Sequence, residues 1–72
     1  MKYTVILEKG TSSYGAFVLD LPGCIAVEET KDEALRSISE AMEFHIQGLL
    51  EEKQEIPKPH CDVTQVEVKW PR

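Results

Sequence analysis

Residues 30–53 read TKDEALRSISEAMEFHIQGLLEEK, the pattern of a single long amphipathic helix. At ~100° per residue, Leu35, Ile38, Met42, Ile46 and Leu49 share one stripe, with Ala34 and Ala41 on its flank. Glu40, Glu43, Gln47 and Glu51 fall on the opposite side. Thr30 and Glu33 have capping-box spacing, and Asp32 and Glu33 suit the positive end of the helix dipole. A solitary apolar stripe must be buried against something, and the remaining segments read as strands. The expected fold is therefore one helix laid on one sheet.

The strands are expected at Lys2–Glu8, Tyr14–Asp20, Cys24–Glu29 and Cys61–Trp70. All four are rich in β-branched or aromatic residues, and the last places Val66, Val68 and Trp70 on one face. The loop KGTSS separates the first two. Between the second and third, Pro22 presets φ for the second position of a turn, and Gly23 supplies the positive φ that a type II turn needs next. Pro57 and Pro59 end the helix and favour an extended linker.

The order is thus β-β-β-α-β in an α+β domain spanning residues 1–72. The first three strands form an antiparallel meander. The helical crossover lays the fourth parallel to a neighbour, expected to be the first, giving a four-stranded mixed sheet. One helix covers only one face of that sheet, yet apolar residues occupy both. Tyr3, Val5 and Leu7 oppose Ile6, and Phe17 and Leu19 oppose Ala16 and Val18. An uncovered apolar face is a place to be bound. Phe44, on the acidic side of the helix, adds a second possible contact, although isolated exposed aromatics are also normal. The expected partner or oligomer contacts are Phe44, Ala16, Val18, Asp20 and Leu21, with the choice between sheet faces left open. Pro22, Gly23, Thr30 and Glu33 have structural roles.

A chain of 72 residues buries only about 60% of its unfolded surface, so its stability is marginal and a partner or a dimer or tetramer is expected to support it. The two cysteines, Cys24 and Cys61, do not make a disulfide framework. No signal peptide or membrane-spanning run is read, so a cytoplasmic, thiol-reducing location is expected, with no membrane role. A net charge of −5 disfavours direct nucleic-acid binding and favours a basic partner.

Catalytic readings are weak. Cys24 lacks a nearby base in sequence, with His45 beside the apolar stripe and His60 remote. His60 and Cys61 are adjacent, so on a strand they point to opposite faces and chelate poorly. A metal-dependent nuclease would need Asp20 to converge with Glu8 or Glu28, but strand-end solvation explains those acids equally well. No catalytic residue, metal or cofactor is expected.

Residues 17–59 resemble the N-terminal domain of HicB-type antitoxins. The resemblance rests on Asp20-Leu21-Pro22-Gly23-Cys24, Thr30, Glu33-Ala34-Leu35, and Ile56-Pro57 with Pro59, in that order and spacing. With Met1 to Ala16 and the final strand, the similarity extends over nearly the whole chain. It implies a partial ribonuclease-H-like β-β-β-α-β domain. It also implies a non-enzymatic role: binding a HicA-type toxin, a small basic ribonuclease that cuts mRNA, and blocking it by occlusion. Many members carry an additional C-terminal DNA-binding domain, for which no room is expected after the fourth strand. A toxin-independent self-assembling module is the alternative.

Overall fold

The computed structural model describes residues 1–71. Its elements are β1 (Val5–Lys9), β2 (Tyr14–Val18), β3 (Ile25–Glu28) and α1 (Lys31–Glu51). The strands lie in the order β1-β2-β3, and both pairs are antiparallel. Val5 pairs with Val18; Leu7, Ala16 and Ala26 form one cross-strand row, and Ile6, Phe17 and Ile25 form the next. Successive side chains alternate between faces, so these two rows lie on opposite sides of the sheet.

The expected fourth strand is not formed among the described residues, because 54–71 has no regular secondary structure. The sheet is three-stranded and wholly antiparallel rather than four-stranded and mixed, and the ribonuclease-H-like arrangement that depends on the extra strand is not seen. Alternating apolar residues give a segment one greasy face; they do not supply the partner edge that a ladder needs. Tyr3 Oη donates to the Pro57 carbonyl at 2.6 Å, and Thr4 Oγ1 donates to the Cys61 carbonyl at 3.5 Å. The segment is thus attached beside the start of β1. Beyond it, the side-chain bond found among the described residues is local, from the Val63 N–H to Asp62.

The β2–β3 connection bears out the turn read from the sequence. The Cys24 N–H donates to the Leu21 carbonyl at 3.1 Å, enclosing Pro22 and Gly23, and Gly23 has φ +85°. Only glycine adopts that conformation without a Cβ penalty. The Val18 N–H closes the loop on the Cys24 carbonyl at 3.2 Å.

Helix α1 is held at both ends by local bonds. Thr30, extended at φ −125°, accepts from the Glu33 N–H at 3.1 Å. The Glu33 carboxylate in turn accepts from the Thr30 hydroxyl at 3.1 Å, so the reciprocal contact falls on the side chain rather than on the Thr30 N–H. At the far end, the Lys53 N–H donates to the Leu50 carbonyl and the Gln54 N–H to the Leu49 carbonyl, with Lys53 at φ +58°. This is a Schellman ending with lysine where glycine is usual.

The core lies between α1 and one sheet face. Ala16, Val18, Leu21, Cys24, Ala34 and Ile38 are buried, flanked by Val5, Leu7, Met42 and Ile46 among others. The centre of the helical stripe is rotated from its expected position. Small Ala34 is fully buried, while Leu35 is 39% exposed.

Two substitutions test these ends in opposite directions. Thr30→Ala is expected to lower stability by about 1 kcal/mol through loss of the cap. Lys53→Gly should raise it by about 0.5–1 kcal/mol by removing the left-handed penalty. Urea unfolding midpoints check both; a Lys53→Gly midpoint below that of the parent contradicts the Schellman assignment.

Candidate functional site

The DLPGC turn places Asp20 where strand β2 has ended and the backbone has begun to reverse. Its carboxylate is buried, and Oδ2 accepts from the His60 N–H at 3.0 Å and the Cys61 N–H at 3.2 Å. The His60 ring nitrogen Nδ1 stands 2.9 Å from Oδ1 and 3.1 Å from the Lys58 carbonyl. Oδ1 itself is buried and receives no hydrogen bond, so the His60 ring meets it by proximity alone. Asp20 therefore ties the segment after the helix to the β2–β3 turn across 40 residues of sequence. The sequence contained no local signal for this contact, since neither His60 nor Cys61 offers more than a backbone N–H to Oδ2.

Hydrogen bonding from the Cys61 side chain, with the two backbone N–H donors and the His60 charge, holds the Asp20 carboxyl below its ordinary value of 3.8 despite the opposing effect of burial. The same contact pushes the Cys61 thiol up, as do its burial and the Asp20 charge. Burial pushes Cys24 up as well. Both cysteines are free thiols in surroundings that disfavour the thiolate, contrary to what a nucleophile needs.

The expectation that His60 and Cys61 diverge is corrected by the irregular backbone they occupy. Their ligand atoms and those of Asp20 lie within 4.8 Å of one another. Three ligands fall one short of a closed structural zinc site; Asp20 Oδ2 already accepts two backbone N–H groups, while buried Oδ1 receives no hydrogen bond. Glu8 and Glu28 do not join this group among the described residues. Glu28 instead accepts from the Ser37 hydroxyl at 2.8 Å, linking β3 to α1. The nuclease constellation of Asp20 with Glu8 or Glu28 is therefore not assembled.

The contact residues expected from sequence divide into two groups. Phe44 is 82% exposed on the outer side of α1. Ala16, Val18 and Leu21 are buried beneath the helix, and Asp20 is engaged in its tie, so none of these four presents a surface in the single chain. The uncovered sheet face is made of other residues. Ile25 is 65% and Val27 62% exposed, beside half-buried Ile6 and Phe17 in the adjoining strands. Strand β3 turns Ala26 and Glu28 toward the helix and its larger apolar residues away from it. The alternation in IAVE could have revealed this face, had the register with β2 been known. Among the described residues, no helix is long and apolar enough to cross a membrane.

Replacing Asp20 with Asn is expected to loosen residues 57–61 while preserving the sheet. The depressed carboxyl value also fixes the sign of the pH response. The contribution of the tie is fully present above pH 3.8 and is lost as pH falls through the lower folded-state value. Amide ¹H–¹⁵N shifts of His60 and Cys61 should titrate in that acidic range in the parent and not in D20N. Identical acid titrations of both amides in the two proteins would contradict the tie.

Comparison with known proteins gives this geometry a family context. The model of the HicB-like antitoxin of bacterial toxin–antitoxin systems matches residues 3–70. A UPF0150 protein from Thermoplasma acidophilum is 40% identical over 63 residues, covering 86% of this chain and 91% of the relative. A UPF0150 protein from Synechocystis is 44% identical over 57 residues, covering 78% and 72%. An uncharacterized 14.9 kDa protein of the rep-hol intergenic region of Haemophilus phage HP1 is 41% identical over 58 residues, covering 81% of this chain. This chain spans only 44% of that phage protein. No solved structure gives a significant match. With the family model covering nearly its full length, the chain belongs to the HicB-like antitoxin family.

Proposed function

We propose that the chain neutralises a HicA-type, mRNA-cleaving toxin by binding and covering its RNA-contacting surface. Family membership indicates a toxin–antitoxin role in general. The observation that carries the finer reading is the outer face of α1. There, exposed Phe44 has the exposed carboxylates of Glu40 and Glu51 beside it on the same helix face, with Glu43 at the margin of that face. An apolar anchor flanked by acids complements a small basic ribonuclease. The ring provides desolvated contact area, and the charges steer the encounter and exclude acidic partners. The overall charge of −5 acts in the same direction.

Inhibition by occlusion asks for no catalytic group in this chain, so we read it as a non-enzymatic protein acting in the cytoplasm, where mRNA is the toxin's target. It needs no cofactor or metal and makes no direct nucleic-acid contact in this role. A second reading, toxin-independent self-association, is favoured by Ile25 and Val27, whose exposed side chains leave one sheet face available to another copy. The two readings use different surfaces, and an antitoxin dimer or tetramer satisfies both.

Coexpression with a HicA-type toxin encoded beside this gene is the test. The parent chain should co-purify with the toxin and restore growth, whereas Phe44→Asp should retain at least about tenfold less toxin, equivalent to ~1.4 kcal/mol. Failure of the parent to bind the toxin or relieve growth arrest would overturn the proposal. Undiminished binding by F44D would place the contact elsewhere.

A further inference from the structure

The segment following the Asp20 tie is built like a strand but has no strand to pair with. Thr64, Val66, Val68 and Trp70 alternate with Gln65, Glu67 and Lys69. In an extended chain this alternation separates an apolar face from a polar one. Yet Val66 is 78%, Val68 77% and Trp70 88% exposed in the single chain. An amphipathic strand with its apolar side in water is incomplete.

The same chain also presents a matching vacancy. β1 is an edge strand with β2 on one side only, so its other row of backbone N–H and C=O groups is unpaired within the sheet. Beside it, a cavity of about 250 Å³ opens between the start of the chain and the second half of α1. Met1, Tyr3, Met42 and Ile46 line it, with Ser39 and Glu43 at its polar side. Met42 and Ile46 belong to the helical stripe that the sheet was expected to cover, and the missing fourth strand would have covered them. A strand added at this edge could place an apolar face toward the cavity and a polar face toward solvent.

We infer that residues 63–70 of one copy add as a strand to the open β1 edge of a second copy, and that the exchange is reciprocal. Donor and acceptor lie on one polypeptide, so a two-fold pair satisfies both in each subunit without any other molecule. The Val66, Val68 and Trp70 face closes the groove beneath Met42 and Ile46. Gln65, Glu67 and Lys69 remain on the solvent side. Tyr3, Thr4 and Asp20 hold residues 57–61 to the parent subunit, setting the point from which the arm departs. This pairing goes beyond the toxin-binding reading and leaves the outer face of α1 free.

The test uses the full chain alone, so its result is independent of any toxin. Light scattering at tens of micromolar should give the mass of two chains or an even multiple; the mass of one chain would overturn the inference. A photo-reactive Val68→benzoylphenylalanine variant, co-refolded as a mixture of ¹⁵N-labelled and unlabelled chains, then locates the arm. Crosslinks should join a labelled chain to an unlabelled one and land between Met1 and Lys9 or on Met42 to Ile46. Crosslinks confined within single chains, or made chiefly between two arms, would overturn it. Val66→Asp with Val68→Asp should reduce the mass to one chain. If that variant fails to fold, the crosslink positions still decide.

Discussion

One helix can shield only one side of a sheet, and the organisation of this chain depends on that limit. α1 buries Ala16, Val18 and Leu21 through Ala34 and Ile38, leaving the opposite rows to fend for themselves. A sheet intended to face water on that side would place polar residues there. β3 does the reverse, sending Ile25 and Val27 outward and keeping Ala26 and Glu28 beneath the helix. The chain therefore carries a small core on one side and an exposed apolar row on the other. Its small size makes external burial valuable to its stability.

The second organising contact is the Asp20 carboxylate. Its position in the DLPGC turn invites a catalytic interpretation, but its geometry is that of a fastener: a buried acceptor receiving the backbone N–H groups of His60 and Cys61. A charged acceptor strengthens such bonds, and its removal leaves two donors seeking new partners. The tie brings the end of the β2–β3 turn to the segment beyond α1 and discourages ionisation of Cys61, as burial does for Cys24. At this turn the carboxylate serves as a backbone acceptor, and both thiols sit where the thiolate is disfavoured.

What the sequence disclosed was local. Pro22-Gly23 named its turn because φ preferences act within four residues, and Thr30 named the helix start because a cap reaches only three residues ahead. The helix and three strands were legible from periodicity. The contact surface was not. Ala16 and Val18 alternate with Phe17, and nothing local says which row is covered; the pairing register turns them under α1 and turns Ile25 and Val27 out. Asp20 was equally opaque, since its partners lie 40 positions away and contribute backbone groups that any non-proline residue supplies. The fourth strand failed for a third reason. Alternation along residues 63–70 says nothing about whose edge will receive it.

An acidic, aromatic-bearing helix face and an unclosed sheet are two separate exposed surfaces of this antitoxin-family domain. Trp70 is the single tryptophan of the chain and lies at the far end of the unpaired arm, so its fluorescence reports directly on whether that arm is covered. If another subunit completes the fold, emission at tens of micromolar will be blue-shifted and resistant to iodide quenching, and dilution will shift it toward that of free indole. Emission and quenching matching free indole at every concentration would contradict the account.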